Sequence, residues 1–294
     1  MNPFFSIILP TYNRAYILER TIESVINQQF QDWELLIVDD GSKDNTSEIV
    51  NTFMIHEKRI NYLYQENAER SAARNNGISQ ANGKFICFLD SDDQFDANHL
   101  QSLFEAINSS GENPCIFITG SRIVNMNGAL LNVSKITPGK NDAETILLNT
   151  ITPGQMCIPI SLIRKHLFNV NIRISEDTEI LFRLISDSCL KLTNHASLLY
   201  VHHDDNSVNP LRYNAYKERK ETLKLIFSKP IGNNVSSILK RKVLNDCYFG
   251  IAKFYAANER FWIVRWNMLK ALMIYPEYRW KEKIYLILHP QKAV

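Results

Sequence analysis

Alternation of short apolar segments with amphipathic helical patterns constrains the fold of the first hundred residues more than any other feature. The apolar segments lie at 6–9, 35–38, 60–64 and 85–89, and helical stripes follow them at 17–26, 47–53, 71–80 and 100–107. Strands that are apolar on both faces and separated by helices are typical of a parallel sheet covered on both sides. We therefore predict an α/β fold with a Rossmann-like, mostly parallel sheet and helices on both faces.

The second half of the chain has a less regular pattern. Residues 115–119 and 198–202 are predicted to be strands, and 122–133 a hairpin whose turn lies at Asn127-Gly128. Asp177 to Ile185 has helical periodicity, and from Leu211 onward only helical patterns remain. We place a domain boundary near residue 210, which leaves residues 211–294 as a helical appendage.

Three of the predicted strands run directly into polar clusters. The sequences are PTYNR at 10–14, DDGS at 39–42 and DSDD at 90–93. Ligands of open α/β sheets bind at the carboxyl ends of strands, so these clusters predict one shared site. Asp90 and Asp92 are spaced to hold Mg²⁺ or Mn²⁺ against a diphosphate. The alternative is that the acids only cap the following helix. A calcium loop counted from Asp90 fails, because Phe95 and Gln101 replace its glycine and glutamate.

Four motifs occur in order at short intervals: SIILPTYN at 6–13, ELLIVDDGS at 34–42, ARNNG at 73–77 and FLDSDD at 88–93. In this order they resemble the family 2 inverting glycosyltransferases, of the kind that builds bacterial polysaccharides. The resemblance implies a GT-A fold over residues 1–210, with a nucleotide-sugar half at about 1–110 and an acceptor half at about 111–210. It also implies transfer from a nucleotide diphosphate sugar, with UDP favoured, to a hydroxyl of a glycan or lipid-linked acceptor, aided by Mn²⁺ or Mg²⁺.

The resemblance also assigns roles to individual residues. The loop that lies against the base corresponds to Pro10, Thr11 and Tyr12, and the carboxylate that binds uracil to Asp39. Arg74 completes the nucleotide pocket. Asp90 and Asp92 match the DxD pair, the first facing the ribose or sugar and the second the metal. For Asp40, Gly41 and Asn75 a structural role is an equal alternative, because Asp40 can cap a turn and Gly41 can adopt a positive φ.

The acidic run at 174–179 (ISEDTE) resembles the family position of the catalytic base, with Asp177 the closer match and Glu176 the next candidate. Inversion requires such a base to accept the proton of the attacking hydroxyl. The alternative is that Ser175 or Asp177 only caps a helix. At 202–207 (HHDDNS) the family often has a histidine and a serine near the metal or diphosphate, and we favour His203 over His202 as the metal ligand.

Two other functions are compatible with parts of this pattern. A sugar-nucleotide nucleotidyltransferase also combines an α/β sheet with metal-binding carboxylates, but it requires a Gly-rich basic loop after the first strand, and residues 10–14 contain no glycine. A non-catalytic sugar-binding module would need neither Asp177 nor the DxD pair.

The charge of the chain is divided unevenly. Residues 1–210 contain 16 Lys+Arg and 25 Asp+Glu, whereas residues 211–294 contain 17 and 6, and so carry a net charge of +11. The second region also contains Trp262, Trp266 and Trp280. Basic residues interleaved with aromatic ones suit an anionic membrane surface better than nucleic acid, for which we predict no role. Packing on the catalytic domain or a homodimer interface is the alternative.

Cysteine usage and the N-terminal sequence predict the compartment. The five cysteines are scattered without any CxxC motif, which is typical of buried thiols in a reducing compartment. Residues 1–10 lack a basic segment before their short apolar stretch, so no signal peptide is predicted. We expect a cytoplasmic protein that contacts the inner membrane face peripherally.

Overall fold

The structure is a computed structural model that describes residues 2–111, 115–203 and 215–293. Its strands are β1 (Phe5–Thr11), β2 (Trp33–Asp39), β3 (Ile60–Tyr64), β4 (Phe85–Phe88), β5 (Gln94–Phe95), β6 (Cys115–Asn125), β7 (Leu130–Ser134), β8 (Met156–Pro159) and β9 (Cys189–His202). Its α-helices are α1 (Ala15–Ile26), α2 (Thr46–His56), α3 (Glu69–Gln80), α4 (His99–Ser109), α5 (Asp142–Leu148), α6 (Ile160–Ile163), α7 (Glu176–Leu184), α8 (Ala215–Phe227), α9 (Ser237–Ala257), α10 (Phe261–Ile274) and α11 (Trp280–Leu288).

The chain divides into two compact units. The first consists of residues 1–138, 148–171 and 183–203, and the second of residues 139–147, 172–182 and 204–294. The predicted boundary near residue 210 lies outside the described residues. Two segments that we expected in the catalytic domain, 139–147 and 172–182, belong to the second unit, because the chain enters that unit more than once.

The nine strands of the described residues form one sheet in the first unit, in the order β3-β2-β1-β4-β8-β6-β9-β5, with β7 paired to β6. β3, β2, β1 and β4 are parallel, as are β6 and β9, whereas β8 runs antiparallel to both of its neighbours. The predicted α/β class with a mostly parallel sheet is confirmed. The sequence did not predict β8 or β5, because segments this short carry no readable periodicity.

The core of the first unit is built by the continuously apolar strands. β1 is buried along its whole length, and Leu18, Ile22 and Val25 of α1 belong to the same core cluster. Gly77 allows α3 to pack closely on β1, since a Cβ at this position would lie 2.5 Å from Cγ2 of Ile8. This close packing fixes α3, and therefore Arg74 one turn earlier, relative to the carboxyl end of β1.

Helices α9 to α11 of the second unit form a separate core, built around Phe249, Ala252, Val264 and Met268. We also predict from the sequence that Pro276 separates two helices, and α10 ends at Ile274 while α11 begins at Trp280. None of the helices in the described ranges is long and apolar enough to span a bilayer.

One prediction about the cysteines is wrong. Cys115 and Cys189 form a disulfide between the first residues of the parallel neighbours β6 and β9, with their Cα atoms 4.8 Å apart. Cys87 and Cys157, which are paired in register on β4 and β8, are buried free thiols, as is Cys247. No short spacing in the sequence indicates this bond, because the two cysteines are 74 residues apart and are brought together only by the sheet.

Candidate active site

The three polar clusters lie at one edge of the sheet, because the strands that precede them are neighbours. β1 pairs with β2 on one side and with β4 on the other, and Thr11 lies directly beside Asp39 in the register. The loop after β4 is anchored to the same region, since the hydroxyl of Thr21 on α1 donates to the carbonyl of Ser91 at 3.0 Å. The three polar clusters are therefore neighbours in the first unit, and the shared ligand site remains a prediction.

The loops after β1 and β2 hold each other in place. Asn13 has a positive φ of 51°. Its N–H donates to the hydroxyl oxygen of Ser42 at 2.9 Å. Its side-chain oxygen accepts from the N–H of Lys43 at 2.8 Å. An asparagine tolerates this left-handed conformation better than most residues. The turn at Asn13 thus places Tyr12, which is exposed, at the rim of the site.

Asp39 and Thr11 form the floor of the region expected to bind the base. Both carboxylate oxygens of buried Asp39 accept hydrogen bonds, Oδ1 from the Ser42 N–H at 2.7 Å and Oδ2 from the Tyr62 hydroxyl at 2.6 Å. Burial, and then the hydrogen bond to Asp39, raise the pKa of Tyr62, so this phenol remains a donor. The hydroxyl of Thr11 is buried and has no hydrogen-bond partner within the described residues. A buried hydroxyl without a partner is costly, so a ligand polar atom is expected here.

Asp40 has a structural role in this arrangement. Its Oδ1 accepts from the Gln65 side chain at 2.7 Å and from the Ala68 N–H at 2.8 Å, and its Oδ2 accepts from the Glu69 N–H at 2.9 Å. Gly41 follows with φ +83°, and a Cβ on it would lie 2.9 Å from the backbone nitrogen of Asn67. Asp40 therefore fixes the entry into α3, the helix that carries Arg74.

Arg74 links α3 to the DxD loop. Its guanidinium is almost completely buried and donates to Oδ1 of Asp90 at 2.8 Å. The ring of Phe168 lies beside it, 5.4 Å from the guanidinium carbon. Asn75 holds residue 168 by two main-chain bonds, donating to its carbonyl and accepting from its N–H, both at 2.9 Å. Arg74 is therefore fixed from two sides, and it orients Asp90 toward the opening of the site.

Asp92 meets His203 at the other side of the loop. Nε2 of His203 lies 3.1 Å from Oδ2 of Asp92, and the guanidinium of Arg14 lies 3.7 Å from the same oxygen. His202, the alternative, is exposed at the end of β9. His203 reaches Asp92 because the buried carboxyl of Asp93 accepts from the N–H of Val201 at 3.1 Å and so ties β9 to the DxD loop. Ser207 lies outside the described residues.

The acidic side chains of this loop influence one another. Burial, followed by the charges of Asp90 and Asp92, raises the pKa of Asp93 well above its ordinary value. Burial and the same three carboxyl groups raise the pKa of Tyr200 on β9 to about 12. Such an accumulation of negative charge at one point favours the binding of cations.

Asp92 and His203 suit the divalent cation that the family resemblance implies. Mg²⁺ and Mn²⁺ take carboxylate ligands and keep several positions for water and substrate phosphates, so two protein ligands are sufficient. Neighbouring ligands of an octahedral ion with bonds of about 2.1 Å are about 3.0 Å apart, close to the Asp92–His203 separation. In the ranges that the structure describes, no cluster of three or more His, Cys, Asp or Glu residues could hold an ion by itself.

Asp177 lies in the second unit, in the first turn of α7. Ser175 precedes the helix with a positive φ of 64°, an unfavourable conformation for serine, and its carbonyl accepts from the N–H of Glu179 at 3.0 Å. Burial, and then the charge of neighbouring Glu176, raise the pKa of Asp177 to about 6, although hydrogen bonds from Thr178 and the charge of Arg219 oppose this. A carboxylate with a raised pKa is suited to accept a proton near neutral pH.

Comparison with known proteins identifies the family. The family model described as Glycosyl transferase family 2 matches residues 6–167, which is more than half of the 294-residue chain. The chain belongs to this family. The resemblance stated from the four sequence motifs is therefore confirmed.

Two curated relatives are similar in sequence to this family 2 chain. The GalNAc(5)-diNAcBac-PP-undecaprenol beta-1,3-glucosyltransferase of Campylobacter jejuni is 34% identical over 140 residues, which cover 47% of this chain and 43% of that enzyme. The putative teichuronic acid biosynthesis glycosyltransferase TuaG of Bacillus subtilis is 28% identical over 221 residues, 74% of this chain and 85% of that protein. The chain thus matches less than half the length of the Campylobacter enzyme.

Solved structures confirm the GT-A fold of the family 2 chain. S. aureus TarS 1-349 in complex with UDP-GlcNAc matches with a TM-score of 0.68 at 16% identity, covering 99% of this chain and 88% of that one. The mannosyltransferase PcManGT from Pyrobaculum calidifontis, in complex with GDP-Man and Mn²⁺, matches with a TM-score of 0.60 at 12% identity, covering 99% and 86%. At these identities the likeness concerns the fold.

Several residues of the site were not singled out from the sequence. Tyr62, Asp93, Phe168 and Arg14 all contact or support the predicted site residues. Arg14 follows the first motif directly, so its position after a strand was an available signal. Phe168 and Tyr62 carried no local signal, because apolar and aromatic residues at such positions are usually core residues.

Proposed function

We propose that this family 2 chain transfers a sugar from a nucleotide diphosphate sugar, with UDP as the favoured nucleotide, to a hydroxyl of a glycan or a lipid-linked acceptor. The observation that carries the proposal is that Thr11, Asp39, Asp90 and Asp92 lie at the ends of the neighbouring strands β1, β2 and β4. Arg74 of α3 and His203 after β9 contact Asp90 and Asp92 there. It is supported by family membership and by the fold shared with TarS, whose structure contains UDP-GlcNAc.

Each residue would bind a different part of the donor. The buried hydroxyl of Thr11 would donate to or accept from the base. The carboxylate of Asp39 would accept from the base, because a carboxylate has acceptor capacity beyond its two present bonds. Pro10 and Tyr12 would shape the wall against the base. Asp90, held by Arg74, would bind the hydroxyls of the ribose or the sugar.

We propose Asp92 and His203 as the protein ligands of Mn²⁺ or Mg²⁺. When bound, such an ion neutralises the charge that develops on the leaving diphosphate. Arg14 carries a positive charge 3.7 Å from Asp92, so it would balance the carboxylate and attract the phosphates to the same place. PcManGT, which shares the fold, was solved with GDP-Man and Mn²⁺.

We propose Asp177 as the general base of an inverting reaction. The acceptor oxygen attacks C1 of the sugar, the bond from C1 to the diphosphate oxygen breaks, and the hydroxyl proton passes to Asp177. A single displacement of this kind reverses the configuration at C1, which NMR of the anomeric proton of an early product would test. Because the pKa of Asp177 is raised to about 6, the base is ionised above that pH, and kcat/KM should fall as pH decreases through 6.

For the acceptor we propose a chemical class, and for the cellular location a membrane face. Residues 121–173 are the segment in which we expect the acceptor to bind. The names of the two relatives concern a polyprenol-linked glycan and teichuronic acid, so a lipid-linked or polymeric glycan is the favoured class of acceptor. Such acceptors lie at membranes, and we propose that residues 211–294 attach the cytoplasmic enzyme peripherally to the inner membrane face.

A panel of nucleotide sugars incubated with Mn²⁺ tests the proposed reaction. We expect release of the nucleoside diphosphate from one donor, and loss of that release in EDTA. If pyrophosphate is added, conversion of the nucleotide sugar and pyrophosphate into a nucleoside triphosphate and a sugar 1-phosphate would instead support the nucleotidyltransferase. Donor binding without any turnover would support the sugar-binding module. Full turnover in metal-free enzyme would overturn the assignment of Asp92 and His203 as metal ligands while leaving the transferase proposal intact.

A further inference from the structure

Helix α10 of the second unit has large apolar residues on every side, interrupted by Arg265, Asn267 and Lys270, yet only one side of it is covered. Val264, Met268 and Ala271 face the core formed with α9. On the opposite side the side chains of Trp262, Trp266 and Met273 are 68%, 53% and 82% exposed. A helix that is hydrophobic all round is normally buried on every side, either in protein or in lipid. The exposed side of α10 therefore requires a partner.

Helix α11 extends this exposed side. Trp280, Ile284, Tyr285 and Leu288 are exposed at helical spacing along it, while Lys283 and Leu286 are buried. Arg265 lies between Trp262 and Trp266, and its Nε donates to the carbonyl of Ile287 at 3.1 Å. This bond sets the exposed stripe of α10 beside the end of α11. The resulting surface, here called the aromatic face, consists of Trp262, Arg265, Trp266, Leu269, Met273, Trp280, Lys281, Ile284, Tyr285 and Leu288.

The charges on and around the aromatic face are mainly positive. Arg265 and Lys281 belong to it, and Lys270 lies beside it with its ammonium 5.0 Å from the centre of the Trp266 ring. Lys281 lies 5.7 Å from the ring of Trp280. None of the ten residues of the face is acidic, and nearby Glu282 is bound by Arg279 at 2.7 Å. Lysines paired with tryptophans suit the headgroup level of a bilayer, where an apolar ring and a cation are both accommodated.

A second copy of the chain is a poorer partner for this surface. In a symmetric dimer the same patch meets itself, so a patch that carries Arg265 and Lys281, with Lys270 beside it and no acidic residue, would meet an equally positive patch. Like charges placed opposite one another across an interface are unfavourable. An anionic lipid surface offers the complementary charge together with an apolar interior for the aromatic rings.

We propose that the aromatic face of α10 and α11 is the surface that binds anionic lipid, with both helices lying flat in the headgroup region. The proposal deepens the proposed membrane attachment of residues 211–294 by assigning it to one face of two helices. The rest of the basic region, including α8 and α9, would then contribute charge at longer range without inserting.

The aromatic triple variant Trp262→Ser/Trp266→Ser/Trp280→Ser tests the assignment. Its binding to vesicles of phosphatidylcholine with phosphatidylglycerol is compared by flotation with that of the parent and of a control, Ile55→Ser/Ile238→Ser. The control removes apolar residues that are 66% and 58% exposed elsewhere. We expect the parent and the control to bind anionic vesicles at low salt, and the triple variant to bind at least ten-fold less. Lys270→Gln/Lys281→Gln should weaken binding by about thirty-fold.

Intrinsic fluorescence provides an independent measurement. Three of the four tryptophans lie on the aromatic face, and the fourth, Trp33, is buried. Anionic vesicles should therefore shift the parent emission to shorter wavelength and allow quenching by brominated lipid. Equal indifference of the parent to neutral and anionic vesicles would overturn the proposal. The proposal would also be overturned if light scattering showed that the parent is a dimer and the triple variant a monomer.

Nucleotide binding by the triple variant, measured by calorimetry with UDP, should match that of the parent. Failure of the membrane proposal is therefore separable from failure of the proposed reaction.

Discussion

The two acidic loops after β2 and β4 flank the same strand and are alike in composition, yet they are stabilised in opposite ways. In the loop at 39–42, buried Asp39 and Asp40 accept hydrogen bonds mainly from backbone N–H groups and neutral side chains. In the loop at 90–93, Asp90 and Asp92 remain partly exposed, and their partners are Arg74, Arg14 and His203.

This difference indicates which carboxylates shape the site and which act in it. Backbone donors cannot move away without disrupting the fold, so the loop at 39–42 is a fixed part of the structure. Arg74 contacts Oδ1 of Asp90, and Arg14 and His203 both contact Oδ2 of Asp92. The other oxygen of each partly exposed carboxylate can therefore bind a ligand. Loss of a carboxylate in the first loop should therefore reduce stability, and loss of one in the second should reduce activity.

The largest effect is expected from Asp92→Ala. Turnover should fall by about 10³-fold or more, because a metal ligand and the charge that holds it are both lost. The free energy of unfolding should change by less than about 0.5 kcal/mol, since the residue is near the surface of the site. Steady-state kinetics and urea denaturation of the same preparation measure the two quantities. A variant that retains activity but loses stability would reverse the comparison.

Asp177→Asn extends the comparison to the second unit. The rate of transfer should fall by about 10²-fold or more while donor binding stays near that of the parent, because Asn keeps the shape but accepts no proton. Because the pKa of Asp177 is raised to about 6, ionisation of this carboxyl lowers the stability of the fold. The loss of stability grows as the pH rises from the ordinary pKa of an aspartate, about 4, to about 6 and is constant above that pH.

The Asn variant should therefore also be more stable at pH 7, by about 1–3 kcal/mol, with the smaller value favoured because Asp177 is only half-buried. This advantage should disappear below about pH 4. Retention of more than a tenth of the parental rate would move the role of base to Glu176, and Glu176→Gln is the matched variant for that outcome.

Asp40→Ala should have the opposite profile to Asp92→Ala. The N–H groups of Ala68 and Glu69 and the Gln65 amide would lose their acceptor, at a cost of about 2–4 kcal/mol in the free energy of unfolding. Asp40→Asn, which retains one carbonyl oxygen, should lose less. Urea denaturation measures both. Equal stability of all three proteins would show that the first loop is not the fixed part of the site.

The smallest effect is expected from Tyr62→Phe. Removal of the phenol takes one donor from Asp39, so stability should fall by about 1 kcal/mol. Because Asp39 is then held only by the Ser42 N–H, KM for the donor should rise a few-fold while kcat changes little. A change confined to kcat would contradict the role of Asp39 in binding the base.

The sequence predicted those parts of the molecule whose information is local. β3 was predicted with its observed limits, because its apolar residues and its turns lie within one short segment. The hairpin at Asn127-Gly128 and the break at Pro276 were predicted for the same reason. Gly128 permits the positive φ of a turn, and Pro276 cannot continue a helix. The rule that ligands bind at strand ends predicted that the DxD loop after β4 would lie near the loops after β1 and β2. These three strands are neighbours in the sheet.

The remaining parts depend on contacts between distant residues. The position of β8 between β4 and β6, the Cys115–Cys189 bond and the support of Arg74 by Phe168 follow from the tertiary arrangement, and no local pattern encodes them. The contact of His203, rather than His202, with Asp92 follows from the bond between Asp93 and Val201, which sets the register of β9 against the DxD loop.

The two hydrogen bonds between Asn75 and residue 168 have a consequence for engineering residues 121–173, the segment in which we expect the acceptor to bind. Both of its hydrogen bonds end on main-chain atoms of residue 168, so they do not depend on the side chain there. A foreign segment grafted next to this position would be held at the same distance from α3 whatever its sequence, provided that Asn75 is kept. The donor site would thereby tolerate exchange of neighbouring acceptor sequence, and Asn75 is the residue that should accompany every graft.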